Sequence, residues 1–157
     1  KNIMIIRTFS KLFRLSPLEF LLFLEANLFL TLASLVRITI PLRWYAHFLG
    51  KHMNELQEEV DEKLKQKLLT IDKSIKRGSK YLPFNCKCLV QAMAGKAMLR
   101  LRRIHSTVYL GVAKDEESKL IAHAWVRVGD MNITGGRGVK KYNVISTFAD
   151  GKNTLIN

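Results

Sequence analysis

Acidic residues are in short supply: 13 Asp and Glu stand against 26 Lys and Arg in 157 residues, a formal charge of +13 and an isoelectric point near 10.0. A cationic partner chosen by electrostatics is thereby excluded, while nucleic acid, acidic peptide and a membrane surface stay open. Cysteine is nearly absent. Cys86 and Cys88 are separated by one residue, poor geometry for a structural disulfide, so reduced thiols in a cytoplasmic setting are expected. With three prolines and nine glycines, the chain has no linker, low-complexity tract or collagen repeat. A long uncharged apolar run is also missing. Residues Pro17 to Leu42 are dense in Leu and Phe, but Glu19, Glu25, Asn27 and Arg37 interrupt them. No uncharged window reaches the ~18 residues of a spanning helix, and the stretch reads as a buried helix with no transmembrane segment. Lys1, Arg7, Lys11 and Arg14 precede it as in a signal peptide. The apolar run is too long for one, bears carboxylates and lacks a clear cleavage site, so secretion is not expected.

What is present describes one globular core. The chain is 48% hydrophobic and 25% charged, with a mean hydropathy of +0.02, and is read as a single domain over 1–157. Ser16-Pro17-Leu18-Glu19 is a capping box with Pro at the first helical position, predicting a helix from there to about Val36, with Pro41 opposing further growth. A short helix over Arg43 to Leu49 ends at Gly50. From Met53 to Lys76, apolar residues at three- and four-residue steps predict an amphipathic helix with Gly78 as its stop and a Glu59–Lys63 ion pair on its wet face. A third long helix runs from Cys86 or Cys88 to Arg103, its Arg100, Arg102 and Arg103 serving the helix dipole on a solvated face. Then the pattern changes. Thr107–Ala113, Leu120–Val128, Met131–Thr134 and Asn143–Phe148 read as strands, with Gly129-Asp130 as a two-residue hairpin turn. The fold class is α+β: a helical region over 1–80, then over 81–157 a Cys-bearing helix packed on a small antiparallel sheet.

Cys88 stands near the start of its helix, where unpaired N–H groups and the dipole favour a thiolate and Lys87 adds positive charge. His123, in Ala122-His123-Ala124-Trp125-Val126, shares a strand face with Trp125 and Arg127 by alternation. A helix-start Cys facing a strand His is the arrangement that activates thiol proteases and transglutaminases. On its own that pairing is weak, since most such residues are core residues.

The surrounding words add specificity. The Cys88-Leu89 helix start, Tyr109-Leu110-Gly111-Val112, the strand from Ala122 to Asp130 and Thr134-Gly135-Gly136, in that order, resemble the lasso-peptide leader peptidases, small cysteine proteases with a transglutaminase-like fold. The leucine-rich amino-terminal half resembles the family's as well. The resemblance implies a catalytic Cys at Cys88 and a His at His123. It further implies a lasso precursor peptide as substrate, a small separate leader-binding protein and an ATP-dependent cyclase as partners, and no cofactor or metal. The family's third residue is an acid expected on the strand after the His. With a two-residue turn at Gly129-Asp130, the position across from His123 is near Gly136, with Thr134 on the diagonal, and neither is a carboxylate. Asp130 is the nearest downstream acid and the candidate, though equally a turn former; a hydroxyl, a backbone carbonyl or a more distant acid would serve instead.

Other readings are weaker. Cys86 with Cys88, His105 and His123 lacks zinc-site spacing, and Gly135-Gly136-Arg137-Gly138 lacks the ending of a phosphate loop. Trp125 is a core residue that would also shelter the imidazole. A non-catalytic basic module for nucleic acid or a membrane surface is the rival class, although the basic excess is spread along the chain without a reader motif. An acyltransferase using the same Cys-His pair is a third. Finally, Leu21, Phe23, Leu28, Phe29, Leu32 and Leu35 carry more apolar surface than one helix stripe holds, so part of that helix is expected to lie uncovered as a partner or membrane surface.

Overall fold

The capping box at Ser16 forms as written. Its hydroxyl accepts from the Glu19 N–H at 3.3 Å, and the Glu19 carboxylate accepts from the Ser16 N–H at 3.1 Å. The computed structural model describes residues 16–52, 59–83 and 86–150, and α1 (Pro17–Thr39) is its first helix. α1 outruns the expected end at Val36 because Pro41 forces only its predecessor out of helical geometry, and Ile40 is extended at φ −123° and ψ 130°. Helix α2 (Leu42–Leu49) follows and ends at Gly50, whose φ is +127°. A Cβ there would stand 2.4 Å from the Ala149 carbonyl oxygen. Glycine thus lets β1 (Lys51–His52) pair with β5 (Asn143–Ala149), a two-residue strand too short to leave a sequence pattern.

Helix α3 (Glu62–Tyr81) departs from expectation at both ends. Asp61 caps it, accepting from the Leu64 N–H at 2.7 Å. The expected helical start over 53–58 lies outside the described residues. Glu59 precedes the cap, so it and Lys63 are not helical neighbours; Glu62–Lys65 and Asp72–Lys76 form the intrahelical pairs instead. Gly78 does not stop the helix. It is buried in the last turn of the helix, where a Cβ would lie 2.9 Å from Leu30 Cδ1, so its lack of a side chain serves the close approach of α1.

Helix α4 (Cys88–Leu101) precedes the sheet, whose β2 (Thr107–Lys114), β3 (Leu120–Val128), β4 (Met131–Thr134) and β5 match the expected strands to within one residue. The strand order is β1-β5-β2-β3-β4, antiparallel throughout. Helices α4 and α3 cover one face, and α1 packs on those two helices. Leu30, Leu68, Ile75, Val90 and Met98 join Val108, Ala124, Val126 and Phe148 in the core. This α+β architecture is tied at its edge by ion pairs rather than by solvated arginines. Arg102 grips the Glu25 carboxylate of α1 with bonds of 2.6 and 2.8 Å, and Arg100 grips Asp150 at 2.9 and 2.7 Å. Along the outer side of α1, Leu21, Leu28, Leu32 and Leu35 stay exposed, whereas Phe23 is buried and Phe29 half-buried. The helix is therefore buried on one side only.

Candidate active site

Cys88 is the first residue of α4, with Lys87 as an N-cap that makes no side-chain cap bond. The first-turn N–H groups beside the thiol thus have no capping side chain, a setting that favours negative charge. Cys88 is half-buried and packs on the rim of the helix-side core; its sulfur has no hydrogen-bond partner among the described residues. Cys86 is 7% exposed. Burial pushes its thiol up from the ordinary range, with the Ser34 hydroxyl opposing, which leaves it protonated and inert at neutral pH.

Placement along the sheet follows from contacts farther down α4. Gly95 lies against Val126 and Thr134, and Lys96 reaches the Ser106 carbonyl at 2.5 Å, just before β2 residue Thr107, which pairs with Arg127. Toward its amino end, α4 therefore runs in the direction of His123. Cys88, at that end, packs on the helix-side core. β2 and β3 pair without interruption, so alternation turns Ala124 and Val126 to the helices and His123 and Trp125 to the other side.

On that other face the imidazole is enclosed by aromatic rings. His123 stacks on Tyr142 at 4.9 Å and Trp125 at 5.9 Å between centroids, and Trp125 stacks in turn on Tyr109 at 5.4 Å. Its Nε2 lies 2.7 Å from the carbonyl oxygen of Gly135. A carbonyl can only accept, so Nε2 carries the proton and Nδ1 is the basic nitrogen.

Gly135 reaches this place through a bulge. Val128 pairs with Met131 and Arg127 with Asn132, as a two-residue turn dictates, but Val126 then pairs with Thr134. The extra residue shifts the register that would have set Gly136 across from His123, and re-aims the chain. Gly135 adopts φ +65°, and a Cβ there would lie 2.6 Å from the Ala124 carbonyl oxygen and 3.0 Å from His123 Nε2. Asp130 sits exposed in the β3–β4 turn. That is five residues of β3, about 17 Å, from the level of His123, so its carboxylate does not reach the ring.

A sequence model described as the transglutaminase-like superfamily matches residues 33–147, from within α1 into β5, and so spans Cys88, His123 and Gly135. The chain belongs to the transglutaminase-like superfamily. No curated protein and no solved structure matches it. Superfamily membership carries the class of chemistry, cysteine protease or acyl transfer. It brings with it neither a substrate nor an acid, since what holds the imidazole of this member is main chain. Sequence reasoning missed Tyr142 and did not single out Gly135. The paired glycines after β4 were a usable signal for a special backbone; nothing local marks Tyr142, which comes over β2 only by the pairing of β5.

Proposed function

We propose that this transglutaminase-like chain is a cysteine endopeptidase that removes the leader from a lasso-peptide precursor. The observation that carries the reading is Cys88 as first residue of α4 in a superfamily of cysteine-dependent enzymes. In the reaction the Cys88 thiol gives its proton to His123 Nδ1, and its sulfur attacks the carbonyl carbon at the leader–core junction. The tetrahedral oxyanion is met by first-turn N–H groups of α4. The C–N bond then breaks, the imidazolium protonates the departing core amine, and a thioester to the leader remains. Water, deprotonated by the same imidazole, attacks that thioester; the products are the leader carboxylate and the free thiol. The released core amine is the group an ATP-dependent cyclase would close into a macrolactam, and a separate leader-binding protein would deliver the precursor.

This chemistry requires the Cys88 sulfur and His123 Nδ1 to meet, and precursor binding has to draw them together around the edge of β3, which β4 pairs only from Val126 onward. Precursor peptide, leader-binding protein and this chain are to be incubated together and the products weighed by mass spectrometry. Two fragments summing to precursor plus one water, absent with Cys88→Ala, are expected. An intact precursor with every component folded overturns the reading. A second reading, a non-catalytic basic module, is favoured by the separation of thiol and imidazole on two sheet faces. Salt-sensitive DNA binding unchanged by Cys88→Ala, with no cleavage, would establish it.

A further inference from the structure

We infer that the outer face of α1, continued by α2, docks on an anionic lipid bilayer, with α1 lying in the plane of the membrane surface. The inference does not rest on the peptidase reading. Leu28 and Leu35 of α1 are 58% and 54% exposed, and Trp44 and Phe48 of α2 are 66% and 73% exposed. Leu32 and Phe48 border one mostly apolar groove of about 460 Å³ between α1, α2 and α4, which Leu101 also lines. Leu28 and Leu35 lie one turn to either side of Leu32, and Trp44 one turn before Phe48, so these side chains form a continuous surface. Contiguous apolar surface of this extent marks an interaction face.

Charge decides the occupant. From residue 26 to residue 52 there is no acidic residue, while Arg43 and Lys51 are basic and exposed; Arg37 is turned to the opposite side of α1 from Leu28 and Leu35. The carboxylates that border the face are already held: Glu25 by Arg102, and Asp150 by Arg100 and Lys96. A second copy of the chain would set these cations against their own likes. An anionic bilayer offers an apolar interior below a negative surface, and matches both features at once. Trp44, at the junction of apolar face and cations, suits the headgroup level.

The helix lies on the bilayer and does not cross it. By length and composition α1 could span, with a mean hydropathy of 1.8 over its most apolar window, of which a third is buried. Crossing would pull Leu22, Ala26, Leu30 and Ala33 from the core and break the Glu25–Arg102 pair, whereas surface docking leaves all of these in place.

The full chain is to be sedimented with phosphatidylcholine vesicles and with vesicles containing phosphatidylserine as well. Binding on the order of 30-fold tighter to the anionic vesicles, weakened by salt, is expected from two cations at the surface. Trp44 fluorescence should shift to the blue while buried Trp125 contributes a constant background. The double variant Leu28→Ser, Leu35→Ser should lose binding with its far-UV circular dichroism unchanged, because both side chains are already in water; Phe48→Ser is the second variant should the first misfold. Equal binding to both vesicle types, no binding to either, or a dimer by light scattering that the serine variants abolish would each overturn the proposal. Capture of the leader-binding protein by this face in place of vesicles would overturn it too.

Discussion

The imidazole of His123 is held by the main-chain carbonyl of Gly135, 2.7 Å from Nε2. A carbonyl does what a carboxylate would do for the tautomer, fixing the proton on Nε2, but supplies no full charge to stabilise an imidazolium. The bulge that delivers it and the positive φ of Gly135 belong to one local device.

Replacing Gly135 by Ala tests that device. The new Cβ would press on the Ala124 carbonyl oxygen and on Nε2 itself, in a backbone region disfavoured for alanine. A stability loss of about 1–3 kcal/mol is expected, together with at least a roughly tenfold fall in precursor cleavage as the ring loses its anchor. Nitrogen-15 NMR of the imidazole separates orientation from stability: the native chain should show the Nε2–H tautomer and the variant a mixture. A native Nδ1–H tautomer would remove the carbonyl from its role.

The two cysteines should part company. Cys88→Ala is expected to abolish cleavage with little change in thermal unfolding, since the side chain is only half-buried. Cys86→Ala keeps most activity and costs about 1 kcal/mol for the small cavity it leaves. Alkylation of the free protein near neutral pH should mark Cys88 well before Cys86, whose thiol burial keeps protonated. Because His123 faces away from the helices, His123→Ala should leave the Cys88 alkylation rate unchanged within about twofold in the free protein, yet stop cleavage. A strong drop in the free-protein rate would mean that the dyad is assembled before the precursor arrives.

The elements that follow from local chemistry were legible. Ser16 and Glu19 set the start of α1, alternation around Trp125 gave β3, and Gly129-Asp130 gave the hairpin turn. What was not legible depends on distant partners. Gly78 reads as a stop signal locally, but its position is decided by Leu30 of another helix. The register slip at Val126, ahead of the Gly135 carbonyl that holds His123, comes from one extra residue in β4 that no periodicity announces. The same holds for Arg100 and Arg102: as helix-end residues they read as dipole partners, and Asp150 and Glu25 reach them only once the chain has folded.

The Glu25–Arg102 pair is expected to be worth more than a surface contact. Both side chains are mostly covered, at 21% and 27% exposure, and the guanidinium also donates to the Met98 carbonyl at 2.8 Å. Pairing with Glu25 is the first cause of the raised Arg102 pKa. A double-mutant cycle with Glu25→Gln and Arg102→Met should return a coupling of about 1–2 kcal/mol, nearly unaffected by salt. A coupling under about 0.5 kcal/mol would class the pair with exposed ones and leave α1 held to α4 by apolar packing alone.

Lys96 gives the pH dependence a definite sign. It is 2% exposed, with its Nζ 2.7 Å from Asp150, and burial pushes its pKa from the ordinary 10.5 down to about 8 although Asp150 favours the charged form. Between those values the folded chain binds fewer protons at this site than the unfolded chain, so the contribution of Lys96 to stability rises with pH. Below about 8 both states are protonated and the full cost of burying the ammonium is present; that cost is relieved as pH climbs toward 10.5. The shift corresponds to roughly 3 kcal/mol. Lys96→Met removes the titration, keeps a long unbranched stem, and leaves Asp150 bonded to Arg100. Urea unfolding of both proteins from about pH 7 to about pH 10 should show the native chain gaining on the variant by up to roughly that amount. Groups such as Cys86 titrate in both proteins and cancel in the difference. A difference that stays flat with pH, or falls, would mean that Lys96 keeps its ordinary affinity for a proton inside the fold.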